Sequence, residues 1–280
     1  MRNIMTRCMV FLLIFGIAFS GPAQFFAQSP HARIIVVYRV DGIDAARSND
    51  PLFARSSTLL ADHRLSQGNY LRTGQDTQVY MALLDPYSII KMDEQSRLSV
   101  ASSGSHLTLN LTHGAALVRV DQPLPPGSSM NIRAGNVTTG LRGTMLIKCT
   151  ARQGSVVVTM FSGHGVVQMP GADGRIVEVP LHAGQAMELP RADEQVFAGH
   201  VIRPLDVGQM SIFEMQETIN NRDYLLQVGT VTPAMLTEAE RLLPQRIEER
   251  DSARAPIQPP SAVPLARPMY TPMYTTPIKS

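Results

Sequence analysis

The chain has 280 residues, of which 44% are hydrophobic and 17% are charged, a balance that is typical of a globular protein and excludes global disorder. The 20 glycines and 20 prolines indicate many turns, so the composition favours many short strands over a helix bundle. Lys and Arg number 25 against 23 Asp and Glu, which is not the strongly basic balance of a nucleic-acid-binding protein. We therefore expect no nucleic-acid partner.

Residues 1–23 are predicted to be a secretory signal peptide. Arg2 and Arg7 precede an apolar run over residues 8–19, and the small residues Gly21 and Ala23 follow it. This run is shorter than the roughly 20 residues that span a bilayer, so cleavage after Ala23 is expected, with an uncleaved membrane anchor as the alternative. The prediction implies an exported protein, periplasmic or secreted, that contacts the membrane only through an uncleaved signal.

Cleavage of the signal would leave Cys149 as the only cysteine, so an internal disulfide is not expected. The alternation of residues 145–150 puts Cys149 on the same strand face as Met145 and Ile147. We interpret it as a small buried hydrophobe and not as a reactive thiol.

Residues 32–190 are predicted to be a β domain. A β-branched run over residues 34–40 predicts the first strand. Residues 44–64 are more polar and less regular, and four of them are expected to reach the core: Leu52, Phe53, Leu59 and Leu60.

From residue 65 to residue 189 the pattern of strand and turn repeats every 8–12 residues. Leu107, Leu109 and Leu111 alternate with polar residues, so this strand should bury one face. Short strands without intervening helices predict a mainly β fold of stacked short strands. The sequence leaves open whether the stack is β-solenoid-like or a sandwich.

A helical segment is predicted over residues 206–250, followed by a disordered Pro-rich tail over residues 255–280. Thr232 and Pro233 have the pattern of an N-cap followed by proline at the first helical position, and Pro244 should end or kink that helix. Four apolar residues before them fall near helical spacing: Ile212, Met215, Ile219 and Leu226.

The tail carries the repeat Pro-Met-Tyr-Thr at residues 268–271 and 272–275. Its composition cannot form a core and favours extended conformers. Two interpretations stay open. The tail is either a passive extension or an interaction segment in which Tyr270 and Tyr274 dock on another envelope protein.

Four runs in the β domain resemble the FecR domain, an all-β module of bacterial cell envelopes. Residues 68–74 (GNYLRTG) match the family's first turn, and residues 85–88 (DPYS) stand in place of its second turn. Residues 95–98 (QSRL) match the segment that follows, and residues 138–144 (TTGLRGT) resemble the family's most recognisable stretch. The resemblance covers roughly residues 32–190.

The resemblance implies a binding or regulatory module. In the regulators that name the family, a cytoplasmic anti-sigma segment and a membrane helix precede this domain, and a small signalling domain follows it. Here only seven residues precede the apolar run, and the predicted helices show no β-α-β-β pattern. We therefore expect the fold to carry over and the sigma-regulator function not to.

The matched runs supply the candidate site residues. Gly68, Gly74 and Gly143 are interpreted as structural turn residues, and the latter two should hold backbone conformations that a side chain disfavours. Arg142 is the candidate binding residue in this domain. It is expected either to bridge strand-end carbonyls from a partly buried place or to hold a carboxylate-bearing ligand or partner.

No pattern in the sequence predicts catalysis. The seven histidines lack metal-ligand spacing, and there is no Gly-x-Ser-x-Gly elbow. We expect no catalytic residues, no metal and no cofactor.

The leading hypothesis is an exported, non-enzymatic binding or scaffold module for an envelope protein or glycan. The alternatives are a sensor component of a cell-surface signalling relay and, less favoured, a carbohydrate-active enzyme of the envelope.

Overall fold

The computed structural model describes residues 34–84, 87–152, 155–171, 173–190 and 200–254. The predicted signal peptide and the predicted Pro-rich tail lie outside the described residues. Within these ranges the chain is mainly β, as the sequence predicts: 17 strands precede a C-terminal helical segment.

The strands form two sheets, called sheet A and sheet B, which share the long strand β9. In spatial order, sheet A consists of β4 (Arg64–Leu65), β1 (Ile35–Asp41), β6 (Gln78–Leu84), β7 (Tyr87–Met92), the second half of β9 (His106–Val120), β12 (Met145–Arg152), β13 (Ser155–Ser162), β16 (Gln185–Pro190) and β17 (Val201–Pro204).

Sheet B lies on the other side of the core. In spatial order, it consists of β3 (Ser56–Thr58), β2 (Ala45–Ser48), β5 (Tyr70–Thr73), β8 (Arg97–Ser103), the first half of β9, β10 (Ser129–Ala134), β11 (Val137–Leu141), β14 (His164–Pro170) and β15 (Ile176–His182). The pairing of β9 with β10 is parallel, and the other pairings in this sheet are antiparallel.

Strand β9 crosses from one sheet to the other at Gly114. Up to His113 it pairs with strands of sheet B, and from Gly114 onward it pairs with β12 and β7 of sheet A. Gly114 has a φ of +83°, and a Cβ at this position would lie 2.1 Å from Oγ of Ser96. Only glycine fits at the crossing, because it tolerates both the positive φ and the close approach.

The order of strands in each sheet largely follows the order of the chain. From β10 onward, successive hairpins fall alternately in the two sheets: β10–β11 and β14–β15 lie in sheet B, and β12–β13 and β16–β17 lie in sheet A. The fold therefore combines the two facing layers of a sandwich with the sequential strand order of a solenoid.

A single hydrophobic core lies between the sheets and contains side chains from both of them. Leu107, Leu109 and Leu111 are buried in it, while the residues between them face outward, which confirms the predicted alternation. Cys149 is also buried, and burial raises the pKa of its thiol to about 12. The interpretation of Cys149 as an unreactive core residue is consistent with this environment.

In the segment between β2 and β4, two of the four predicted core residues do not reach the core. Leu59 is buried as expected, and Phe53 is half-buried below the guanidinium of Arg72. Leu52 and Leu60 were wrongly predicted to be core residues, because Leu52 is 86% exposed and Leu60 is 56% exposed. They lie in the connections on either side of the three-residue strand β3, which keep them away from the core.

The helical segment comprises a 3₁₀ turn (Val207–Gln209), α1 (Ile212–Asn220), α2 (Arg222–Gln227) and α3 (Pro233–Ala253). Helix α1 begins with a capping box between Ser211 and Glu214. Thr232 caps α3 and Pro233 occupies its first turn, as predicted. Pro244 lies inside α3 and does not end it.

The helices pack on the outer side of sheet A and form a second hydrophobic cluster with it. Sheet A contributes Leu117, Leu146 and Phe161, and the helical segment contributes Val207, Met210, Phe213, Met215, Leu225, Val231, Leu236 and Ala239. Among the residues described, none of the helices has the length and apolar character that a membrane span requires.

Candidate functional site

A row of in-register residues crosses the outer side of sheet A, and the helical segment covers part of it. Side chains that lie directly opposite each other on neighbouring strands are about 5 Å apart, so the row is nearly continuous. Its members, from β1 to β17, are Arg39, Tyr80, Lys91, Leu117, Lys148, Thr159, Ala186 and Arg203. Two lysines of this row therefore lie close to α1.

Lys148 is buried under α1, with only 2% of its side chain exposed. Its Nζ lies 3.2 Å from Oε2 of Glu214 and donates a hydrogen bond to Oγ of Ser211 at 2.9 Å. The hydroxyl of Thr159 donates to Oε1 of the same carboxylate at 3.1 Å. Ser211 and Thr159 thus help to compensate the removal of the Lys148–Glu214 pair from water.

The pKa values reflect this burial. Burial would raise the pKa of Glu214, but the ammonium of Lys148 and the hydrogen bonds from Ser211 outweigh it and lower that pKa. Burial lowers the pKa of Lys148, and the carboxylate of Glu214 opposes the shift. The lowered pKa of Glu214 keeps its carboxylate ionised at neutral pH, so the contact is an ion pair.

Lys91 makes a second ion pair with α1. Its Nζ lies 2.5 Å from Oε2 of Glu217, whose side chain is 4% exposed, and the side-chain amide of Asn221 donates to the same oxygen at 3.3 Å. Glu214 and Glu217 are three residues apart, so they lie on one face of the helix. The two pairs together fix the position of α1 along the residue row of sheet A.

The end of α3 is held by a cluster of charges. Nη2 of Arg254 donates to Oε2 of Glu94 at 2.7 Å, and Nη1 of Arg254 pairs with the carboxylate of Asp76. Nη1 of Arg250 lies 3.6 Å from Oε1 of Glu94. Asp76 and Glu94 belong to the turns before β6 and β8, so the last turn of α3 is attached to the β domain.

The outer side of sheet B differs from that of sheet A. Among the described residues, the helical segment packs on sheet A, whereas two adjacent in-register rows of sheet B are exposed or half-exposed. We call these two rows the polar face. They consist of Ser99, Asn110, Arg133, Thr138, Gln168 and Glu178, and of Ala101, Thr108, Asn131, Gly140, Val166 and Pro180.

The polar face consists mainly of amide, hydroxyl and small side chains. Its internal hydrogen bonds include a 2.8 Å bond from Gln168 to Glu178 and a long 3.4 Å bond from Asn110 to Ser99. Strand spacing places successive side chains of a row about 4.8 Å apart. The face can therefore offer a series of hydrogen-bonding groups to an extended partner.

Arg142 lies at the margin of the polar face, directly after β11. Leu141 points into the core, so the alternation turns Arg142 outward, and its side chain is exposed. The expected partly buried position was therefore wrong. Its predicted role as a binding residue stays a prediction, and Tyr270 and Tyr274 lie outside the described residues.

The structure favours glycine at the three turn positions for different reasons. Gly143 has a φ of +79° and Gly68 a φ of +83°, backbone conformations that side chains disfavour. Gly74 does not have a positive φ, so the prediction of a disfavoured conformation there was wrong. A Cβ at Gly74 would instead lie 1.9 Å from Oδ2 of Asp44, and the absence of a side chain permits this close approach.

The ion pairs under α1 were not predicted from the sequence. A signal for them was present: Lys148 is the one charged residue among residues 145–150, inside an otherwise mostly apolar strand. A lysine in that position needs a buried partner, since burial of an unpaired charge is costly. The described residues contain no group of three or more His, Cys, Asp and Glu side chains that could hold a metal ion.

One known protein family matches the chain, and the match covers motifs that the sequence analysis identified. The family model described as FecR protein matches residues 69–164, from the residue before β5 to the first residue of β14. The chain is therefore similar to the FecR family over these residues, which confirms the resemblance, and the match is centred on β9.

Two crystal structures of a candidate anti-sigma factor from Parabacteroides distasonis ATCC 8503, at 2.50 and 1.65 Å resolution, are similar to the chain. Each shares 11% sequence identity with it at a TM-score of 0.42, and the match covers 52% of this chain. The chain spans 64% of the length of those two structures. Comparison with curated proteins gives no match.

Proposed function

We propose that this FecR-domain chain is an exported, non-enzymatic binding module of the bacterial cell envelope, and that its polar face binds an envelope glycan. The observation that carries the proposal is the contrast between the two outer sides of the sandwich. The helices, which two ion pairs hold in place, cover part of the outer side of sheet A, whereas sheet B presents the polar face.

The chemistry of the polar face favours a glycan over a protein as the partner. Stable protein interfaces have an apolar core that is enriched in aromatic residues, Met and Arg. The two rows contain no aromatic residue, and Val166 is the large hydrophobic residue that they expose. Amide and hydroxyl groups instead match the donors and acceptors that sugar hydroxyls and acetamido groups provide.

Co-sedimentation of the full chain with purified peptidoglycan tests this proposal. The variant Thr138→Lys places a long charged side chain in the middle of the polar face, beside Arg133. Ser57→Lys adds the same charge to the exposed strand β3 and serves as the matched control. We expect the first variant to bind about tenfold more weakly, as the loss of one or two hydrogen bonds predicts, and the control to bind like the parent.

Two results would contradict the glycan proposal. One is a parent protein that stays in the supernatant at every peptidoglycan concentration. The other is equal binding by both variants. Capture of an envelope protein that Thr138→Lys abolishes would instead assign the polar face to a protein partner.

The exported location rests on residues 1–23 and has its own test. We expect mass spectrometry of the protein from its native host to find a mature N-terminus near Gln24. Recovery of intact Met1 in the membrane fraction would favour the anchored form.

A role in a signalling relay is the second hypothesis, and the FecR match over residues 69–164 supports it. A sensor of this kind should change the transcription of a defined gene set when it is deleted. Deletion followed by transcript profiling tests this, because a passive binding module leaves such a set unchanged.

A further inference from the structure

A polar cavity of about 450 Å³ lies between the outer side of sheet A and the chain that leads from β17 into α1. Its floor is formed by β12, β13, β16 and β17, and includes Lys148, Thr159 and Arg203 from the residue row described above. Residues 204–211 form its roof, and Arg246 of α3 closes one side. Cavities of this size are typical of sites for small molecules.

Basic residues outnumber acidic residues around the cavity. The lining contains the cationic residues Lys148, Arg152, Arg203 and Arg246 and the acidic residues Glu188, Asp206 and Glu214.

Two of the three carboxylates already have structural roles. Glu214 is paired with Lys148, and Asp206 caps the 3₁₀ turn by accepting a 2.9 Å hydrogen bond from the backbone of Gly208. Glu188 is thus the remaining carboxylate of a cavity that is also lined by Arg203 and Arg246.

Arg203 provides the second observation. Its Nε atom is buried, and it has no hydrogen-bond partner among the described residues. Buried donors are almost always paired, and an orphaned donor on a charged group is costly, so the guanidinium of Arg203 lacks part of the hydrogen bonding that such a group normally has. Arg203 lines the cavity and lies in the same row as Lys148, whose own partners are complete.

We propose that this cavity binds a small anion that carries a phosphate or a carboxylate group. The guanidinium of Arg203 takes the anionic group, because its planar fork matches the geometry of two oxygens of either group. Arg246 holds the roof through a 3.0 Å hydrogen bond to the carbonyl of Gly208 and adds positive charge at the side of the cavity. The hydroxyls of Thr150 and Ser155 on the floor are placed to bind polar groups in the rest of the ligand.

The anion site is separate from the polar face, since the two lie on opposite outer sides of the sandwich. The proposal therefore goes beyond the proposed glycan-binding function and does not depend on it. A variant of one surface should leave binding at the other unchanged.

Isothermal titration of the full chain tests the anion site with three probes: inorganic phosphate, glucose 6-phosphate and glucuronate, at constant ionic strength. Saturable binding of the two phosphates alone would identify a phosphate site, and saturable binding of glucuronate alone would identify a carboxylate site. We expect Arg203→Gln to weaken the binding at least about tenfold, as loss of a charge-assisted pair predicts. Arg175→Gln, in the turn before β15, changes a side chain that is 88% exposed; it is the matched control and should bind like the parent.

The proposal is overturned if none of the three probes binds saturably to the parent, or if Arg203→Gln and the control bind equally well. Circular dichroism of each variant establishes that it is folded. Should Arg203→Gln fail to fold, Arg246→Gln replaces it, because Arg246 is exposed on α3. Unchanged affinity in that variant would overturn the proposed role of the arginines.

Discussion

Lys148 of β12 and Glu214 of α1 form a buried ion pair that joins the β domain to the helical segment. Nζ and Oε2 are 3.2 Å apart, and their side chains are 2% and 12% exposed. A pair of this kind contributes little net stability when intact, because both groups lose their hydration. Removal of only one of the two charges is costly, since the other charge is then left buried without a partner.

Glu214→Gln should therefore lower the free energy of unfolding by about 3 kcal/mol. Glutamine keeps the shape of the side chain, and it can maintain the capping box with Ser211, so the change isolates the charge. Urea unfolding followed by circular dichroism measures the effect.

Two further variants control this prediction. Glu238→Gln removes the carboxylate of an exposed pair with Arg241 on α3 and should change stability very little. The double variant Lys148→Met with Glu214→Gln removes both charges and should recover most of the lost stability. If Glu214→Gln alone is as stable as the parent, the pair is not a buried ion pair in solution.

The stability contributed by Glu214 should depend on pH. Its pKa in the folded protein is lowered below the ordinary 4.5, so the contribution is complete above about pH 4.5 and is lost as the pH falls through the folded pKa. Asp93 acts in the opposite direction, because burial raises its pKa and acidification then favours the folded state.

Comparison of the parent with Glu214→Gln removes the contribution of Asp93, which both proteins contain. The difference in free energy of unfolding between the two proteins should be constant from pH 5 to pH 7, because this range lies above the ordinary pKa of a glutamate. It should shrink as the pH falls below about 4.5. Chemical denaturation at a series of pH values checks this. A difference that grows on acidification would contradict the lowered pKa.

The charge cluster at the end of α3 should control the fraying of that helix. Arg254→Ala removes the contacts with Asp76 and Glu94, so amide protons in the last two turns of α3 should exchange faster with solvent. Hydrogen exchange measured by mass spectrometry reports on this region. Arg241→Ala, in the middle of the same helix, is the control and should leave exchange near residue 250 unchanged.

Gly143 should tolerate only residues that accept a positive φ. Gly143→Val should lower the free energy of unfolding by roughly 1–3 kcal/mol, because a β-branched residue is strained at a φ of +79°. Gly143→Asn should cost much less, since asparagine adopts this conformation more readily. Space is not the cause, because a Cβ there would meet no atom within 4 Å. Equal melting temperatures for the two variants would contradict the backbone explanation.

Much of the β domain could be predicted from local patterns. The alternation of Leu107, Leu109 and Leu111 specifies which side of β9 is buried, and the Thr232–Pro233 pair specifies the start of α3. These features depend on residues close together in the chain. The allocation of strands to two sheets depends on distant residues, because the alternation of apolar and polar residues does not specify which strands become neighbours.

The candidate site was less predictable for the same reason. The pairing of Lys148 with Glu214 joins distant parts of the sequence, and no local pattern specifies it. Alternation shows that Asn110 and Thr138 face outward, but it cannot show which outer side the helices cover. Arg142 was singled out by motif, and its exposure followed from the alternation of β11, which the motif comparison did not consider.

The alternation of hairpins between the two sheets from β10 to β17 has a consequence for how such domains can change in length. Insertion of one hairpin in each sheet after β17 would extend both layers by two strands and leave every earlier strand pair in place. Insertion near β9 would instead separate the two halves of the strand that both layers share. Evolutionary growth or shortening should therefore be easiest at the β15–β17 end of the sandwich, where a gene duplication adds strands without disturbing the existing core.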